Sequence, residues 1–303
     1  MLILLSYVYA SLTAVFVILF LLERIFPLRL QTHSLIKRLF INSCITALAF
    51  ATNAAVVQPT AQFMLQWTQL QSFGLVHLVP LPTAIKSVMA FLLMDLTYYY
   101  WHRANHRFLF LWRFHNVHHI DPDLDISTGF RFHGVEILLS AGLRVFQIAL
   151  TGISQGTYIL YELVYQANTL FHHSNIRLPI WTERWLNTIL VTPRMHGVHH
   201  SQVQDETNSN YSVIFPWWDK LHQTLRLNVP QSEIEIGIPA YSSPDDNTLQ
   251  HLWLVPFQKQ RDYWRKPDNK LVERSPSVLG EDLSRMVDFS TTSIAPNLSL
   301  RTE

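Results

Sequence analysis

Residues 101–119 read WHRANHRFLFLWRFHNVHH, which places His102, His106, His115, His118 and His119 at helical spacings in two adjoining segments. In a helix of about 3.6 residues per turn, positions i, i+3 and i+4 share one face. His102 and His106 therefore aim together, and so do His115, His118 and His119. Residues 196–200, HGVHH, repeat the second spacing with His196, His199 and His200. Of 15 histidines, 12 lie between His102 and His222, and His33, His77 and His251 stand apart as ordinary surface or packing residues. Eight converging imidazoles, each with two nitrogens to satisfy, cannot all be routine core residues. Shared cations are the economical solution, and imidazole suits zinc, copper, iron and nickel. A catalytic zinc takes three protein ligands and a structural one four. Eight or more ligands thus point to two ions with an open position between them. Redox-active iron suits such a site for O2 chemistry, although ligand type alone leaves zinc and manganese open.

The rest of the chain sets where this cluster sits. Its 303 residues carry a net charge of +1, so bulk charge gives no reason to expect a nucleic-acid partner. The single cysteine, Cys44, excludes a disulfide framework, an iron–sulfur cluster on this chain and cysteine-ligated zinc. Residues 2–22 are uncharged and long enough to cross a bilayer core, with Glu23, Arg24 and Arg29 following, the flank pattern of a retained anchor. Residues 39–85 contain no Asp, Glu, Lys or Arg. Within them 39–57 is expected to be a second span, and 60–79, between Pro59 and Pro80, a separate tilted or interfacial helix. Residues 83–101 make a further crossing, interrupted by Lys86 and Asp95. Arg24, Arg29, Lys37 and Arg38 make the first loop cytoplasmic by the positive-inside tendency, which puts the histidine motifs on that side. The apolar block 134–171, broken near Gly152, Ser154 and Gly156, is expected to be a helical hairpin. From Leu178 the chain turns polar, as a cytosolic cap of short helices would. About 274–303 lacks apolar periodicity and reads as a flexible tail. The expected fold is all-α: a polytopic membrane helical bundle with a cytosolic helical cap carrying the histidine-ligated di-metal site. Three regions are expected: N-terminal membrane helices (1–79), a catalytic domain (80–225), and a C-terminal extension and tail (226–303).

Several further elements accompany the histidines: Asp95 to Arg103 leading into the first motif, Leu111-Trp-Arg-Phe114 before the second, Arg131-Phe-His133-Gly-Val-Glu136, Phe171-His172-His173-Ser174-Asn175, Thr192-Pro-Arg-Met195, Asn210-Tyr211 and Trp218-Asp219. With HxxxH, HxxHH and HxxHH in that order, residues 80–225 resemble the fatty acid hydroxylase/sterol desaturase superfamily. The chain departs from that pattern at Asp121, at Ser212 and at His222-Gln223-Thr224. The resemblance implies His102, His106, His115, His118, His119, His196, His199 and His200 as ligands to two iron ions, with His173 and His133 the added candidates and His172 the alternative to His173. His222 reads as packing or surface.

Asp95 lies seven residues before His102, on the same helical face. It is expected either to fix a ligand tautomer or to pair with Tyr98 or Arg103. Glu136 and Asn175 carry the same two readings, and these three are the candidate catalytic residues. Arg103, Arg107 and Arg131 are expected to meet carboxylates or lipid headgroups at the interface. The implied activity is O2-dependent hydroxylation or desaturation of a membrane lipid, a fatty acyl chain, sterol or related molecule. The chain has no GxGxxG or CxxCH motif, so an external donor is implied, a ferredoxin or a cytochrome b5 with its reductase. Two other classes fit a histidine-rich membrane protein: a metal transporter, which would need ionisable groups deep in several spans, and a zinc-dependent hydrolase, which would work without O2.

Overall fold

The computed structural model describes residues 2–274, so the expected tail lies outside the described residues apart from Arg274. Among the described residues the regular elements are helices, joined by three isolated antiparallel bridges. They run α1 (Leu2–Ile25), α2 (Leu35–Thr52), α3 (Gln58–Gln71), α4 (Thr83–Arg107), α5 (Leu109–His119), α6 (Gly134–Thr151), α7 (Gln155–His173), α8 (Ile180–Leu186), α9 (Pro193–His199), α10 (Gln204–Thr207), α11 (Trp217–Leu221) and α12 (Leu249–Leu254).

The expected break between a second span and a separate helix near Pro59 is absent. Helices α2 and α3 are joined by a π-helical turn over Asn53–Val57, and Pro59 sits in the first turn of α3. The wider π turn accommodates the proline ring, whose missing N–H would otherwise break the ladder. The segment expected to cross over 83–101 is helical and runs on to Arg107, so His102 and His106 ride on its last turns, but α4 is not among the helices apolar enough to cross a membrane. Two helical stretches, Leu35–His77 and Gly134–Thr151, are long and apolar enough to cross a membrane. Only 28% and 39% of their most apolar windows is buried. Helices that merely filled a soluble core would be mostly enclosed.

The hairpin expected over 134–171 is present as α6 and α7, turning at Gly152–Ser154. Gly152 has φ +69° and caps α6 in the left-handed region. Gly74, at φ +107°, meets it back to back: a Cβ on Gly74 would lie 2.3 Å from the Gly152 nitrogen, and one on Gly152 would lie 2.5 Å from the Phe73 carbonyl oxygen. Gln69 Nε2 bridges the same turn by donating to the carbonyls of Gly152 and Ile153. Gly152→Ala should therefore cost about 2–3 kcal/mol from backbone strain and the backbone clash, read as a lower midpoint of thermal unfolding in detergent.

A buried ion network ties the start of α2 to the segment after α5. Arg38 donates to both Asp121 oxygens at 2.8 and 2.9 Å and to Asp125 at 2.6 Å. Arg131, expected to meet carboxylates or lipid headgroups at the interface, does face a carboxylate, Asp121 at 3.7 Å, but is fully buried, bonding the Val117 carbonyl, Asn42 and Asn247. Burial alone would raise the Asp121 pKa, but the guanidiniums of Arg38 and Arg131 hold that carboxyl well below the usual carboxylate range. The extension after residue 225 is no detached arm. Ile238, Ala240, Tyr241, Leu252 and Val255 share one apolar core with Ile41 and Ile45 of α2 and Trp112 and Val117 of α5.

Candidate metal centre

The histidine motifs fall on the last turns of α4, on α5 and on α9, and the ends of these helices face one another. Two groups of rings result. His102, His106, His115, His119 and His199 form one, and His118, His173, His196 and His200 the other; within each group the ligand atoms lie within 4.8 Å of one another. Adjacent helical positions diverge by about 100°, so each HH pair divides. His119 and His199 join the first group, His118 and His200 the second. The groups abut: the rings of His119 and His200 stack with centroids 4.3 Å apart.

Tautomers follow from the hydrogen bonds. His102 Nδ1 meets the Tyr211 carbonyl at 2.7 Å, His199 Nδ1 the Ser209 carbonyl at 2.7 Å and His173 Nδ1 the Thr169 carbonyl at 2.8 Å. His115 Nδ1 meets Glu136 Oε1 at 2.7 Å, and His118 Nδ1 the Arg131 carbonyl at 3.3 Å. A carbonyl can only accept, so these rings donate from Nδ1 and present a lone pair at Nε2. His118 Nε2 and His173 Nε2 nevertheless sit 3.1 Å apart, two acceptors face to face. The chain of close nitrogens continues from His173 to His196 at 3.0 Å and from His196 to His200 at 3.1 Å. A cation between them removes the repulsion. Nitrogens about 2.1 Å from one centre lie about 3.0–3.4 Å apart, and the observed spacings fall within that range. In the first group both nitrogens of His106 and His119, with Nε2 of His115 and His199, are buried without a hydrogen-bond partner. Burial, reinforced by neighbouring rings, pushes His118, His119, His196, His199 and His200 well below the usual imidazole pKa, which leaves them in the neutral, ligating form. The residues present fit two transition-metal ions.

Other expected site residues lie elsewhere or act at one remove. His133 is in neither group: its Nδ1 accepts from the Val135 N–H as the N-cap of α6, and its Nε2 lies 3.3 Å from the Trp253 carbonyl. Of the pair left open on α7, His173 is in the second group and His172 outside it. His172 lies beside Asn168, 3.4 Å from its amide. Asp95 touches none of the clustered rings and matches neither reading of it; it accepts from the Trp218 indole at 2.8 Å and the Phe215 N–H at 3.2 Å, tying α4 to α11. Asn175 clasps the Arg29 backbone, accepting from its N–H and donating to its carbonyl. His222 bonds Tyr100 and the Trp218 carbonyl, away from the cluster. Glu136 does touch one of the clustered rings, His115. Because it fixes that tautomer, Glu136→Gln should weaken retention of metal against a chelator by about tenfold or more.

Sequence reasoning gave no role to the loop that carries Ser209 and Tyr211. Asn210, at φ +52°, donates to the carbonyls of Met195 and Arg226. Asp219 accepts from the Tyr211 and Ser212 N–H groups at 2.8 and 2.9 Å. The Asn-Tyr and Trp-Asp elements thus hold the two carbonyls that orient His199 and His102. Phe132 was also missed: it stacks on His118 at 4.6 Å with planes 9° apart. Beside it opens a cavity of about 730 Å³, lined by Phe132, Glu136 and residues of α1, α2, α6 and α7.

The fatty acid hydroxylase family model matches residues 87–224, the segment that supplies every ring of both groups. Residues 87–224 thus resemble a fatty acid hydroxylase domain. An ornithine lipid hydroxylase of Rhizobium tropici is 31% identical over 157 residues, 52% of this chain and 46% of its own. An alkylglycerol monooxygenase of Danio rerio is 28% identical over 234 residues, 75% of this chain and 48% of its own. A very-long-chain aldehyde decarbonylase of Oryza sativa subsp. indica is 28% identical over 142 residues, covering 44% of this chain and 22% of its own. The matches thus span about half or less of the length of these curated relatives. No solved structure gives a significant match.

Proposed function

We propose that this chain is a multi-pass membrane oxidoreductase that hydroxylates or desaturates a lipid with O2, using two iron ions held by nine histidines. The observation that carries the reading is the pair of abutting histidine groups beside a cavity with mainly apolar walls. Bound there, the ions would supply activation of O2 for attack on an unreactive C–H bond. The protein's own part is to orient and to exclude water. Carbonyls of Tyr211, Ser209, Thr169 and Arg131 fix four rings, and Glu136 fixes a fifth. Phe132 and the cavity walls keep the reacting carbon dry. Glu136 Oε2 has no hydrogen-bond partner, and Glu136 lines the cavity, so that oxygen is placed to accept a hydrogen bond from a substrate group beside the rings.

Exposed apolar side chains such as Ile18 and Leu21 on α1, Phe40 and Phe50 on α2, Phe63 and Leu70 on α3, and Phe146 on α6 suit contact with lipid. We place the rings at the cytosolic face, with electrons delivered by a separate ferredoxin or cytochrome b5 system. The transporter and hydrolase readings draw no support from the relatives. Metal analysis of protein purified without O2 tests the proposal: roughly two iron per chain and O2-dependent lipid oxidation are expected, whereas zinc with O2-independent turnover overturns it.

A further inference from the structure

The cavity beside the rings has a second chemical feature, on the hairpin and away from the metal. Arg144 on α6 and Glu162 on α7 both line it, paired at 2.9 Å, with side chains only 10% and 20% exposed. Arg144 also donates to Gln147 Oε1 at 2.8 Å, and Gln147 in turn donates to the Met94 carbonyl and Thr97 on α4. Its guanidinium lies about 6 Å from the ring centres of Tyr158, Tyr161 and Tyr165. The pair is therefore fixed in place rather than snorkelling to water. A buried ion pair contributes little to stability over apolar side chains of the same size. Ionisable groups inside an apolar helical hairpin mark a ligand path by default. Glu136, beside His115, precedes Arg144 by eight residues, about 12 Å along α6.

Resting on the oxidation reading above, we infer that the substrate is a lipid with a neutral hydroxyl or amide group held by the Arg144–Glu162 pair, which sets the carbon that reaches the metal end. A hydroxyl or amide can accept from the guanidinium and donate to the carboxylate at once. The pair sums to zero charge, so a substrate carboxylate would leave an uncompensated charge in an apolar enclosure. The fixed separation makes the hairpin a ruler for the position of oxidation.

The test needs no turnover. Trp101 lines the cavity, so a brominated lipid entering it quenches its fluorescence, isolated by difference against Trp101→Phe. In the full chain in detergent, a brominated long-chain alcohol should quench at about tenfold lower concentration than the matching brominated hydrocarbon. Removing one partner would strand a charge, so the variant is Arg144→Met with Glu162→Met. It should abolish the alcohol's advantage while leaving hydrocarbon quenching unchanged. Equal quenching by both probes in the unmodified protein overturns the inference, and so does a preference that survives the double substitution. A brominated fatty acid binding as well as the alcohol also overturns it. Each of these leaves the oxidation reading untouched, because no O2 or reductant is present.

Discussion

Replacing His118 with alanine is expected to drop bound metal from roughly two ions per chain to one and to abolish turnover. His118 belongs to the group of four, where its Nε2 faces that of His173 at 3.1 Å. Without it three donors remain there, while the five rings of the other group are intact. Chemistry shared between two ions does not survive on one. Metal analysis and lipid-dependent O2 consumption read the two effects separately. His133→Ala should keep both ions, since His133 caps α6 and bonds toward Trp253 instead. Full metal and activity in the His118 variant would refute the ligand assignment.

The second large effect falls on stability. Arg38→Ala should cost about 3–5 kcal/mol, the scale of breaking a buried ion pair from one side. Arg38 is 1% exposed and is the guanidinium bonding both Asp121 and Asp125, with a further bond to the Asp123 carbonyl. Its loss leaves Asp121 with the more distant Arg131, at 3.7 Å, and Asp125 with Arg24, at 3.3 Å, in place of direct bonds to a buried guanidinium. Against a total of about 5–15 kcal/mol for a folded domain, that is a large share. A strongly lowered unfolding midpoint, with metal lost as the fold opens, is the expected reading. An unchanged midpoint would show that the network is solvated in solution.

How far the sequence could be read depended on whether the relevant contact was local. The i, i+3, i+4 spacing of His115, His118 and His119 needs nothing beyond helix geometry, so these residues were legible as ligand candidates. The hairpin was legible too, because Gly152 and Ser154 interrupt a long apolar run. Pro59 misled, since a preceding π turn can absorb a proline and nothing in the residues announces one. Asp95 misled for a different reason. Its helical phase relative to His102 was read from the helix alone, whereas its partner, Trp218, is 123 residues away. Asn175 has its partners at Arg29, 146 residues distant.

What the residues alone determined is an all-helical chain with histidine clusters carried on helix ends, because periodicity, charge-free runs and ligand spacing are properties of single segments. Which ring joins which group, the placing of His133 and His172 outside both groups, the carbonyls beside the rings and the cavity that meets them were decided by the tertiary structure. Those features depend on how distant helices cross, and a hydrogen bond of 2.7 Å is a relation between two segments that neither one encodes by itself.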